Sequence, residues 1–138
     1  MSRITARNVS PIPYSELVSI FERLPSIKAV FIFGSHASDT ANPESDLDLG
    51  VVADNDPSLE ILGKLAALGI EKVDLVLLNG RDYFMEFQAT KARKILFTRD
   101  NFDPLQFARN ASKKWFDYKF YADRNKEALK RRIQDGQN

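Results

Sequence analysis

Apolar and polar positions along this chain fall into blocks whose period changes. Leu17, Val18, Ile20, Phe21 and Leu24 recur at helical spacing. They predict a short helix that starts near Pro13 and Ser15 and is stopped by Pro25. Lys28-Ala29-Val30-Phe31-Ile32-Phe33 is almost continuously apolar and ends at Gly34, the pattern of a strand buried on both faces. Asp46 to Val52 predicts a second strand. After the turn Asp54-Asn55-Asp56-Pro57, Leu59 to Leu68 fits a helix ended by Gly69. Glu71 to Leu78 predicts a third strand closed by Asn79-Gly80. Asp82 is placed to cap a helix running to Thr90, and Arg93 to Thr98 is a fourth strand candidate. Asp103-Pro104 opens a long last helix reaching about Ile133. In it Leu105, Ala108, Ala111, Trp115, Tyr118, Ala122, Leu129 and Ile133 keep helical spacing. Helices alternating with strands predict an α/β (α+β) layered fold around one central sheet.

Length and composition narrow this further. A chain of 138 residues, 43% apolar and with ten Phe, makes one globular domain over 1–138. The core is expected at about 14–100 and the C-terminal helix at about 102–134. The absence of cysteine excludes a disulfide framework and a thiolate metal site, and fits a cytoplasmic protein. No apolar run approaches the roughly 20 residues that span a bilayer, and no signal-type stretch follows Met1-Ser2-Arg3. The net charge of +1 names no partner, but its distribution is uneven. Residues 1–100 carry 11 Lys and Arg against 14 Asp and Glu, whereas residues 101–138 carry 9 against 5. The last helix is therefore basic, which suits a solvated face, an acidic protein or RNA.

The chemistry concentrates between Gly34 and Asp48. Glycine after a strand lets the backbone approach a ligand, and the Ser35 hydroxyl adds a donor. A helix opening at Ser35 would aim free N–H groups at an anion. No Gly-Lys-Ser/Thr follows, so this is not a P-loop. Asp46 and Asp48 sit at i and i+2 of a strand, so both carboxylates share a face while Leu47 and Leu49 pack behind. Like charges held side by side call for a cation or a proton between them, and Mg²⁺ takes carboxylate and phosphate oxygens. Asp74, inside the apolar run of the third strand, completes a three-carboxylate cluster if that strand lies beside the second. A lone Asp-x-Asp is more often a solvated edge, and a lone strand Asp is more often ion-paired, with Lys72 at hand. The sole histidine, His36, fits an exposed turn better than a catalyst.

Gly34-Ser35, ten residues, then Asp46-x-Asp48, with Asp74 on a later strand, resembles the signature of the polymerase-beta-like nucleotidyltransferase superfamily. The small size, Gly-Ser-x-Ala and Ser-Asp-x-Asp-Leu resemble its minimal nucleotidyltransferase (MNT) group. The segment from Phe107 to Tyr121 resembles the terminal helix of MNT antitoxins paired with HEPN toxins. This resemblance spans about residues 14 to 133. It implies a central mixed sheet of about four strands, Gly34 and Ser35 on the triphosphate of ATP, and Mg²⁺ held by Asp46, Asp48 and Asp74. It further implies that Asp74 helps to deprotonate the attacking hydroxyl. AMP would pass to a tyrosine of a HEPN ribonuclease toxin with release of pyrophosphate. One departure stands out: Ser38 and Asp39 occupy positions where the group often has a basic residue and Gly, and Asp39 brings negative charge to a phosphate site. A module that neutralises its partner by binding alone, and a nucleotidyltransferase acting on an antibiotic, are the competing readings.

Exposed aromatics with basic neighbours suit a protein interface. Phe116 and Phe120, i and i+4 on a face the apolar stripe leaves open, are expected to meet the partner together with Tyr121.

Overall fold

The computed structural model describes residues 12–38, 40–41, 45–78, 80 and 82–136. Asp39, the Asn42-Pro43-Glu44 loop and Asn79 lie outside them, so the expectations placed on those residues are not addressed by the structure. Helix α1 spans Tyr14–Glu22 and strand β1 Ile27–Phe33. A single 3-10 turn, Gly34–His36, leads toward β2, Leu47–Ala53. Then come α2 (Ser58–Ala67), β3 (Val73–Leu77), α3 (Tyr83–Thr90), β4 (Ile95–Thr98) and α4 (Pro104–Gly136).

The four strands form one mixed sheet in the order β3-β2-β1-β4. β1 runs antiparallel to both β2 and β4, while β2 and β3 are parallel and joined across α2. A parallel neighbour requires such a crossover connection. Alternation along the strands sorts side chains onto two faces. Ile27, Val30, Leu47, Leu49 and Val51 pack with Leu17 and Phe21 of α1 and with Ile61 and Leu65 of α2. On the opposite face Ala29, Phe31, Val52 and Leu78 pack with Ala89 of α3 and Ala108 of α4. The sheet is therefore covered on both sides, which explains why β1 and β2 are nearly free of polar residues.

Local signals set most boundaries. The Asp82 carboxylate accepts from the Met85 N–H at the start of α3, and Asp103 accepts from the Gln106 N–H at the start of α4. Helix α2 closes on Gly69 at φ +82°. There the Ile70 N–H reaches the Leu65 carbonyl and the Gly69 N–H reaches that of Ala66, a Schellman ending. The helix expected after Ser35 is absent. The Gly34–His36 turn goes no further, because Ser38 Oγ bonds back to the Gly34 and Ser35 carbonyls and the Thr40 N–H bonds to Ser35. Such local bonds satisfy the backbone without a helical ladder.

Arg99, just past β4, ties the far end of the core together. Its Nε donates to the Ile27 carbonyl at 2.7 Å and its Nη2 to Phe21 at 3.0 Å and Leu24 at 2.8 Å. The guanidinium thus gathers carbonyls from the end of α1, the following turn and the start of β1, and it lies 5.1 Å from the Phe97 ring centroid. Arg99→Ala is expected to cost about 2 kcal/mol, since charge-assisted bonds to part-buried carbonyls are lost together. Urea unfolding should show an earlier midpoint with an unchanged slope.

Candidate functional site

The sheet register assembles the site at one edge, where β1 ends and β2 and β3 begin. Phe33 pairs with Asp48 across the antiparallel β1–β2 ladder, and Asp48 pairs with Asp74 across the parallel β2–β3 ladder. Asp48 and Asp74 lie one step from Leu47, Leu49, Val73 and Leu75, all on the α1–α2 side. Both carboxylates therefore belong to the opposite face. On that face Gly50 lies directly under α3: a Cβ at Gly50 would fall 2.9 Å from the Ala89 Cβ and 3.1 Å from Leu78 Cδ1. Helix α3 thus seals the face immediately behind Asp48 and leaves the strand ends open.

Gly34 completes the corner. It has φ +70°, and a Cβ there would sit 2.1 Å from Asp48 Oδ2. The turn and the carboxylate are consequently in direct apposition. A 3-10 start leaves its first N–H groups without a partner inside the turn. A three-residue turn lacks the dipole of a full helix.

Asp46 and Asp74 are exposed and Asp48 is half-buried. Burial, then the charges of Asp74 and Asp46, push the Asp48 carboxyl above its ordinary value of 3.8, while His36 pulls it down. His36, expected as an exposed turn residue, is half-buried in that turn, and its influence on Asp48 is the smallest of these. The three carboxylates make a shared negative field. They do not make a ready cage, because among the described residues no three His, Cys, Asp or Glu side chains converge enough to hold a metal ion. Strand β2 begins at Leu47, so Asp46 lies just before the strand in which its spacing had placed it beside Asp48. The all-oxygen donor set fits Mg²⁺, which uses one or two carboxylates and completes its shell with water and substrate phosphate.

Phe116, Phe120 and Tyr121 stand 54%, 66% and 65% exposed on α4, away from the core-facing side. Phe116 is braced edge-on against Phe87 of α3 at 5.3 Å, and the Arg124 guanidinium lies 5.8 Å from the Phe120 ring centroid. Trp115 stacks in a cluster with Phe84, Phe87 and Tyr118. A residue that sequence reasoning passed over is Glu86. Its side chain is only 2% exposed, and its Oε1 lies 3.1 Å from Lys114 Nζ, pinning α3 to α4. The available signal was a carboxylate inside the otherwise uncharged run Tyr83 to Thr90.

Among the described residues no helix is long and apolar enough to cross a membrane. None of the curated proteins matches this chain. Solved structures do resemble it. One is a toxin–antitoxin complex with AMP-PNP, matched at TM-score 0.68 and 20% identity over 86% of this chain and 98% of the other. A second is the tri-AMPylated Shewanella oneidensis HEPN toxin in complex with MNT antitoxin, at TM-score 0.61 and 19% identity over 84% and 94%. A third is the MntA–HepT toxin–antitoxin, at TM-score 0.62 and 20% identity over 84% and 95%. At such identities these likenesses establish the fold alone. The polymerase beta nucleotidyltransferase family model matches residues 15–102, from α1 to the loop that precedes α4, and so includes Gly34, Asp48 and Asp74. The chain belongs to the polymerase beta nucleotidyltransferase family.

Proposed function

We propose that this chain is the antitoxin of a HEPN ribonuclease toxin and that it transfers AMP from ATP to a tyrosine of that toxin. The observation that carries the reading is the apposition of the Gly34 turn with Asp48, itself in register with Asp74. This places an anion-facing backbone against paired carboxylates, as nucleotidyl transfer requires. The likeness to MNT–HEPN complexes, one bearing a tri-AMPylated toxin and another AMP-PNP, supports the choice of nucleotide and acceptor.

In this mechanism Gly34 and Ser35 receive the triphosphate through backbone N–H groups and the serine hydroxyl. Asp46, Asp48 and Asp74 would hold Mg²⁺, which when bound neutralises charge on the phosphate oxygens. The tyrosine oxygen attacks the α-phosphorus of ATP. The bond from that phosphorus to the bridging oxygen of the β-phosphate breaks, and pyrophosphate leaves. Asp74, exposed at the start of β3, takes the hydroxyl proton. Positioning and charge stabilisation provide most of the acceleration in such transfers. The α3 cover over Gly50 closes the sheet face next to Asp48. Phe116, Phe120 and Tyr121 meet the toxin.

Incubation of the chain with ATP, Mg²⁺ and the purified HEPN toxin it is proposed to neutralise should add the mass of one or more AMP units to that protein. The adduct should map to tyrosine by fragmentation. An unmodified HEPN protein, under conditions where the two proteins form a complex, overturns the transferase reading. If Asp48→Ala then still protects cells from the toxin, neutralisation by binding alone takes its place.

A further inference from the structure

Helix α4 is longer than the core beneath it. Its 33 residues extend about 50 Å at 1.5 Å per residue, yet its only buried residues are Ala108 and Ala111. Residues 123–136 are all exposed, so the distal half forms an arm. An isolated helix of that length is marginal in water. Its apolar face, however, is not random. Ala108, Ala111, Trp115 and Tyr118 are spaced three and four apart along the side that meets the sheet and α3. Ala122, Leu129 and Ile133 continue the same stripe beyond the last point of cover. Leu129 and Ile133 are 51% and 52% exposed.

The charges around this stripe are sorted. Lys119, Lys126 and Lys130 each lie three residues before a stripe position, at Ala122, Leu129 and Ile133 respectively, so each is its neighbour on the helix surface. Arg132 lies three after Leu129 and flanks the other side. Asp123, Glu127 and Asp135 lie about 100° or more round the helix from the seam, as do Arg124 and Arg131. An apolar seam edged only by bases, on a helix that carries acids elsewhere, is shaped to receive an acidic counterpart.

We infer that residues 119–136 are a docking arm whose Ala122–Leu129–Ile133 seam takes an amphipathic helix with acidic flanks from the protein partner. The seam continues a face already packed against protein. Pairing with a second copy of the chain would set lysine against lysine, which disfavours that occupant. A bilayer is disfavoured because Leu129 and Ile133 are the only large apolar residues on the seam, too few for interfacial anchoring. The inference rests on the antitoxin reading for the identity of the partner and concerns binding, not transfer.

The test uses the full chain and the same HEPN toxin, with affinity measured by calorimetry. The Leu129→Asp/Ile133→Asp variant should bind at least about 100-fold more weakly, because a central apolar anchor is replaced by charge. Lys130→Glu should lose about tenfold and Arg131→Glu less than about twofold, although the two residues adjoin and undergo the same charge change. Circular dichroism should report an unaltered helix content in all three. Equal binding by the Leu129/Ile133 variant overturns the arm and leaves the antitoxin reading standing. Failure of the wild type to bind the HEPN protein overturns both. Dimerisation through Leu129 and Ile133 in sedimentation, or tight binding to phosphatidylserine vesicles, overturns the acidic helix in favour of those occupants.

Discussion

Replacement of Asp48 by Asn is expected to lower AMP transfer by about a thousandfold or more while leaving the fold intact. Asparagine keeps the shape that fills the corner beside Gly34, so the loss reports charge rather than packing. Removing one preorganised electrostatic contact from a phosphoryl-transfer site has effects of this order. The same substitution should stabilise the metal-free protein. Asp48 is raised above 3.8 by burial and by the charges of Asp74 and Asp46, so its ionised form is disfavoured in the folded state. The stability this group contributes is present below about 3.8 and is lost as pH rises through the raised value. Asparagine has no such loss. At neutral pH and without metal, Asp48→Asn should therefore exceed the wild type by about 0.5 kcal/mol, the scale of one facing like-charge pair. That corresponds to about 2 °C in Tm. Below the window the two proteins should coincide. Added Mg²⁺ should raise the wild type and not the variant. An activity loss under tenfold, or a variant less stable than wild type in metal-free buffer at pH 7, contradicts the role given to this carboxylate.

The segments that sequence periodicity captured best were those where one physical effect dominates. The run from Lys28 to Phe33 could be little but a strand covered on both faces, and it became the inner strand β1. Asp82 and Asp103 announced the helices they cap, and Gly69 announced the end of α2. Period two set Asp46 and Asp48 on one face, but β2 begins only at Leu47, and it is the β2–β3 register that pairs Asp48 with Asp74. What stayed hidden depends on partners distant in sequence. Arg99 reads as a surface base until its bonds to Ile27 and Phe21, 72 and 78 residues away, are in view. Gly50 reads as a weak point in a strand until α3 is seen resting on it. Glu86 reads as a solvated charge until Lys114 comes across from α4. The expected helix after Ser35 failed for a local reason: Ser38 and Thr40 offered the turn carbonyls hydrogen bonds that stop the helix.

Gly34→Ala should separate backbone strain from a collision in the site. Two costs apply at Gly34. The left-handed φ of +70° costs a non-glycine residue about 1 kcal/mol. The new Cβ would also sit 2.1 Å from Asp48 Oδ2 and 3.1 Å from its Cγ, so the carboxylate must swing away. Gly69 supplies the control, with φ +82° and nothing within 4 Å of a built Cβ. Gly69→Ala should therefore lose about 1 kcal/mol of stability with AMP transfer unchanged. Gly34→Ala should lose a similar amount or somewhat more, yet slow transfer about a hundredfold, because a catalytic group displaced by about 1 Å forfeits that much. The displaced group is identified by combination. If the alanine acts by moving Asp48, then Gly34→Ala added to Asp48→Asn should slow the reaction little further, since coupled residues are not additive. A full additional hundredfold in the double variant would instead assign the loss to the phosphate turn itself. In that case Gly34 serves the triphosphate directly, and its closeness to Asp48 is a consequence of packing.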